Sequence, residues 1–68
     1  MKPLSGKRMR KALGRKGWTF VRIKGSHFHD EHPTFPGTLP MPVHANRDLT
    51  PGTQKDIMRQ AGLSDSDL

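Results

Sequence analysis

The sequence predicts an α+β fold of order αβββα, a three-stranded antiparallel sheet with two helices packed on one face. Three observations predict it. Met9, Ala12 and Leu13 fall at i, i+3 and i+4 behind a capping serine, Ser5. Thr50-Pro51 announces a second helix near the end of the chain. Between them, the β-forming run Trp18 to Lys24 leads through Gly25-Ser26 into two further strand-like segments.

The Ser5 hydroxyl is suited to accept one of the free N–H groups that begin the first helix. Its apolar stripe is narrow and lies opposite a row of bases. Gly14 and Gly17 weaken this helix, and Gly17 is expected to end it. Trp18 to Lys24 then reads as a strand, with Trp18 and Phe20 assigned to the core rather than to base stacking. After the Gly25-Ser26 turn, residues 27–32 pair back as the second strand of a hairpin. Pro33, Pro36 and Gly37 mark a loop. A third strand is expected over about Thr38 to Val43, confined to a sheet edge because Pro40 and Pro42 lack an N–H on the same side of the ladder. An Ala45-Asn46 turn follows His44. In the second helix Pro51 takes the first helical position, where its missing N–H costs nothing. Ile57, Met58 and Ala61 form the buried face, Gly62 the C-terminal cap, and Leu63 the hydrophobic contact that accompanies it. Ser64 to Leu68 forms a short turn or frays.

At 68 residues there is room for one small domain over residues 1–68, burying about 60% of the surface its unfolded chain exposes. With 31% hydrophobic residues the core is thin. The absence of cysteine excludes disulfides and thiolate metal sites and fits a reducing, cytoplasmic setting. No apolar run is long enough to span a bilayer, and the N-terminus lacks the apolar segment of a secretory signal.

Charge is distributed unevenly. Residues 1–29 carry nine Lys and Arg and no acid, a balance of +9, while residues 30–68 carry three bases and six acids, a balance of −3. A one-sided cationic cluster is the footprint of nucleic-acid binding, although a basic helix face also serves solubility. Within the cluster, Lys24-Gly25-Ser26-His27 sets a histidine at the start of a strand beside Arg22 and Lys24. Histidine both takes and gives a proton near neutral pH. A proton-shuttling group among cations suits the cleavage of a polyanion, which points to RNA.

RNA carries its own nucleophile, the 2′-hydroxyl. A protein has to remove that proton, stabilise charge on the phosphate and protonate the leaving 5′-oxygen. Arg22 and Lys24 alternate along a strand and so share a face, which makes them candidates for the phosphate, Lys24 ahead of Arg22. Ser26 in the turn, with Lys7 and Lys11 on the first helix, completes the candidate phosphate contacts. The products of such a step are a 2′,3′-cyclic phosphate or 3′-phosphate and a 5′-hydroxyl. The plainer reading of His27 is a turn histidine bonded to its own loop. His44 is a candidate second acid or base, more often a packing residue, and His32 before Pro33 is structural.

Five blocks carry a family resemblance: Lys24-Gly25-Ser26-His27, His32-Pro33, Pro42-Val43-His44, Leu49-Thr50-Pro51-Gly52-Thr53 and Gln60-Ala61-Gly62-Leu63-Ser64. In that order and spacing, from about Ser5-Gly6-Lys7 to Leu63-Ser64, the chain resembles the HicA toxins of bacterial toxin–antitoxin systems. The resemblance implies a fold like that of double-stranded-RNA-binding domains and metal-independent cleavage of mRNA, with His27 as the catalytic residue and no cofactor. It also implies silencing by a HicB antitoxin that covers this histidine. Such a partner, acidic or shape-matched, would bury the His27 surface and a sheet edge. The free chain is expected to be a monomer that forms a hetero-oligomer with its antitoxin and does not itself bind DNA.

The chain departs from that family at several positions. Phe28 stands where a second histidine is common, and Asp30-Glu31 replaces bases on the second strand. Two carboxylates there would repel RNA unless they point away from it. Thr34-Phe35-Pro36-Gly37 replaces the usual glycine-bearing turn. In strand register His27, His29 and Glu31 share one face and Phe28 and Asp30 the other. The first set, with His32 or His44, is a geometrically acceptable but unspecific metal-ligand pattern. A further alternative is an RNA-binding module of double-stranded-RNA-binding type without chemistry.

Overall fold

A computed structural model describes residues 2–44 and 47–68. Helix α1 (Gly6–Arg15) precedes strands β1 (Thr19–Lys24), β2 (His27–His32) and β3 (Phe35–Pro42), then helix α2 (Pro51–Ala61) and a 3-10 turn at Asp65–Asp67. The sheet is antiparallel in the order β1-β2-β3. The expected αβββα order is present.

Local chemistry sets the helix ends. Ser5 Oγ accepts the Arg8 N–H at 3.2 Å, and Thr50 Oγ1 accepts the Thr53 N–H at 3.3 Å. Pro51 opens α2, Gly62 caps it, and the Leu63 N–H donates to the Met58 carbonyl at 2.8 Å. Both helices pack on one face of the sheet. Met9, Ala12 and Leu13 of α1 and Ile57, Met58 and Ala61 of α2 share a core with Trp18, Leu39 and Met41. Gly6 lets α1 approach closely, because a Cβ there would lie 2.8 Å from the Pro42 carbonyl oxygen. Gln54, whose role local patterning does not reveal, is buried. Its Oε1 accepts the Leu4 N–H at 2.9 Å and its amide donates to the Lys2 carbonyl, tying the N-terminal segment to α2.

Two expectations require correction. Strand β3 starts at Phe35 rather than Thr38, so the loop shrinks to Pro33-Thr34. Pro36 and Gly37 instead form an irregularity within the ladder, between the His32↔Phe35 and Glu31↔Thr38 pairs. β3 remains an edge strand, where prolines are tolerated. Phe20 is not core; it is 50% exposed, because β1 is the other edge and the helices do not cover it, whereas Trp18 is buried. The expected Ala45-Asn46 turn lies outside the described residues.

Alternation along β1 is interrupted, although Arg22 and Lys24 share a face as expected. Strict alternation would put Trp18 and Phe20 on the face of Arg22 and Lys24. A bulge at Val21 prevents this: Arg22 pairs with His29, but Phe20 pairs with Asp30. The extra residue switches the phase of the strand. Phe20 therefore joins the helix-side face, and Arg22 and Lys24 stay on the open one.

Candidate functional site

The open face of the sheet is built from its register. Lys24 pairs with His27, Arg22 with His29 and Thr19 with Glu31, so these side chains project together from β1 and β2. Pro42, Pro40 and Thr38 of β3 continue the same rows. The complementary set, Phe28, Asp30, Leu39 and Met41, faces the helices, and its last three members are buried. His27, Lys24, Arg22 and Glu31 are exposed, and His29 is half-buried.

His27 owes its position to the two-residue hairpin loop Gly25-Ser26. Gly25 has φ 62°, a left-handed value that suits a glycine in this tight turn. The Ser26 carbonyl accepts the Val43 N–H at 3.0 Å, which ties the turn to the end of β3. His27 thus stands on a braced turn with its side chain in solvent. His29 lies one step along the same row, its Nδ1 3.4 Å from Thr38 Oγ1.

The two carboxylates of Asp30-Glu31 separate. Asp30 turns under the sheet, where its side chain is 5% exposed and its Oδ1 lies 3.6 Å from Arg10 Nη2. Only Glu31 remains on the open face. Among the described residues, no three His, Asp or Glu side chains converge to hold a metal ion; His27, His29 and Glu31 are spread along the strand instead.

The structure gathers His27, Lys24 and Arg22 on one face, with Ser26 at its end, but does not bring Lys7 and Lys11 to them. Those two lysines are exposed on α1, away from the stripe that α1 packs against the sheet, and so belong to the opposite layer. His44 is exposed and lines a shallow cleft with Pro42, Arg47, Leu49 and Thr53. His32 is structural, as expected: its Nε2 lies 2.9 Å from the Lys16 carbonyl, and its ring sits tilted to Trp18 at 5.2 Å and edge-to-face with Phe35 at 4.9 Å. Sequence reasoning missed the second element of the open face, the pairing of His29 with Arg22. Parity had already grouped His29 with His27; the cross-strand partner follows from the two-residue hairpin register.

β1 also leaves an apolar margin. Phe20, Val21 and Ile23 are 50%, 38% and 54% exposed along a free strand edge. Among the described residues, no helix is long and apolar enough to cross a membrane. Residues 6–63 match the family model described as HicA toxin of bacterial toxin–antitoxin. A search of curated proteins finds no match.

Proposed function

From the premise that the chain belongs to the HicA family of bacterial toxins, we propose that it is a cytoplasmic, single-domain endoribonuclease that cleaves mRNA with His27 as its proton-transfer residue. The observation that carries this reading is the juxtaposition of an exposed histidine with Lys24 and Arg22 on the open face of the sheet. His27 takes the proton of a 2′-hydroxyl, and the freed oxygen attacks the adjacent phosphorus. Lys24, paired directly with His27, stabilises the charge that grows on the phosphoryl oxygens, and Arg22 extends the same cationic row. Ser26 adds a hydroxyl at the turn. Lys7 and Lys11 hold more distant phosphates of a long strand through the field of the basic half of the chain. This chemistry draws only on the RNA and the side chains of the protein.

A toxin acts under the control of an antitoxin. A HicB-type protein that covers the open face would remove His27 from solvent. The apolar margin and unpaired edge of β1 offer it a place to add a strand.

The test is cleavage of RNA by the antitoxin-free protein in excess EDTA, with His27→Ala alongside. Wild type is expected to cut and the variant to bind RNA without cutting. Binding without cleavage by both would leave a double-stranded-RNA-binding type of module and end the enzyme reading.

A further inference from the structure

We propose that His29 is a second catalytic residue, which protonates the leaving 5′-oxygen while His27 deprotonates the 2′-hydroxyl. The inference rests on the ribonuclease reading above and adds to it the group that completes the proton balance. Attack of the 2′-oxygen on phosphorus and departure of the 5′-oxygen occur on opposite sides of the phosphate. One ring at the nucleophile is therefore badly placed to serve the leaving group in the same step. Two groups are needed, separated by the breadth of a phosphate plus a hydrogen bond of about 2.8 Å on each side.

His27 and His29 stand two residues apart on one face of β2, a separation of about 6.7 Å along the strand. Rings carried that far apart on one face can diverge to the two sides of a phosphate. Lys24 and Arg22 lie opposite the two rings, so a phosphate seated between the histidines meets a cation at each. Thr38 contacts His29 Nδ1 at 3.4 Å from the neighbouring strand, which leaves Nε2 as the nitrogen presented to a substrate. His29 has Arg22 opposite and Glu31 next along its row, and His27 has Lys24 opposite it.

The step balances without a further reactant. The 2′-O–H proton passes to His27 as the 2′-oxygen–phosphorus bond forms. The phosphorus–5′-oxygen bond breaks, and the 5′-oxygen receives a proton from His29. The products are a 2′,3′-cyclic phosphate and a 5′-hydroxyl. His27 is left protonated and His29 neutral, and exchange with water resets both.

The decisive experiment uses an RNA whose cut site has been mapped with the wild-type protein. It is then remade with sulfur in place of the bridging 5′-oxygen at that linkage. A thiolate leaves without protonation, so the need for an acid disappears. His29→Ala and His29→Gln should cut ordinary RNA more slowly by about 10²- to 10⁴-fold, and the sulfur substrate should restore both to near the wild-type rate. His27→Ala should be slow on both substrates. The Gln variant retains an amide that can contact Thr38, so its loss on ordinary RNA separates proton donation from side-chain positioning. The proposal is overturned if the His29 variants cut ordinary RNA normally, if they are equally slow on both substrates, or if His27→Ala is the variant that sulfur restores. A wild-type protein that cuts no RNA removes the ribonuclease reading itself, an outcome distinct from normal cutting by the His29 variants.

Discussion

Arg10 Nη2 lies 3.6 Å from Asp30 Oδ1 beneath the sheet, and the same guanidinium stands 4.5 Å from the Phe28 ring centroid and 5.3 Å from that of Phe20. This arrangement draws one of the two β2 carboxylates away from the open face and cancels its charge. Asp30 is nearly enclosed, while the Arg10 side chain is 29% exposed. Removal of the cation strands a buried anion, a loss of several kcal/mol when the pair is fully enclosed. With Arg10 partly in water, Arg10→Ala should cost about 2–3 kcal/mol, and Asp30→Asn should cost less because it removes the charge that needs a partner. Urea unfolding of both variants checks the order. Equal stability of Arg10→Ala and wild type would show that the pair contributes nothing.

Two glycines of α1 should respond in opposite directions. A Cβ at Gly6 meets the Pro42 backbone oxygen at 2.8 Å, so Gly6→Ala forces α1 from β3 and should destabilise by about 1–3 kcal/mol. Gly14 has nothing within 4 Å of that position. Gly14→Ala gains helix propensity and should stabilise by up to about 1 kcal/mol. Thermal denaturation of the pair measures both signs.

The layer on which a lysine sits should determine which kinetic constant it affects. Lys24→Ala should lower kcat by about tenfold or more, since Lys24 stands beside His27 where charge develops on the phosphate. A Lys7→Ala/Lys11→Ala protein should show its loss in KM, with the salt dependence of RNA binding reduced by about one unit of log–log slope per lysine removed. Steady-state cleavage at two salt concentrations separates the two. A kcat loss confined to the α1 variant would place the substrate on the helix layer.

The C-terminal turn should loosen in acid. The Ser64 backbone N–H and the Lys16 ammonium hold the Asp67 carboxyl below its ordinary value of 3.8, with Lys16 Nζ 3.0 Å from Oδ1. A folded value below the unfolded one means that the contribution is complete above about 3.8 and is lost as pH falls through the lower folded value. The protection factor of the Ser64 amide, taken relative to intrinsic exchange at each pH, should therefore fall in that acidic window. Asp67→Asn should exchange faster at neutral pH and show no such acid step.

Features governed by near neighbours in the chain were legible in the sequence. The Ser5 and Thr50-Pro51 helix starts, the Gly62 stop, the Gly25-Ser26 hairpin and the placement of His27 beyond it each depend on hydrogen bonds or dihedral preferences spanning a few residues. Alternation also separated Asp30 from Glu31 and grouped His27 with His29. It did not indicate which face would be open. The helix layer decides that, by covering Asp30, Leu39 and Met41 and leaving the histidine row in solvent. The phase of β1 was likewise illegible, because the Val21 bulge arises from pairing with a separate strand. It reconciles a buried Trp18 with outward Arg22 and Lys24. Sequence therefore determined the elements, their order and the chemical groups available. Tertiary packing decided which of those groups meet, because strand pairing and burial depend on residues far apart in the chain.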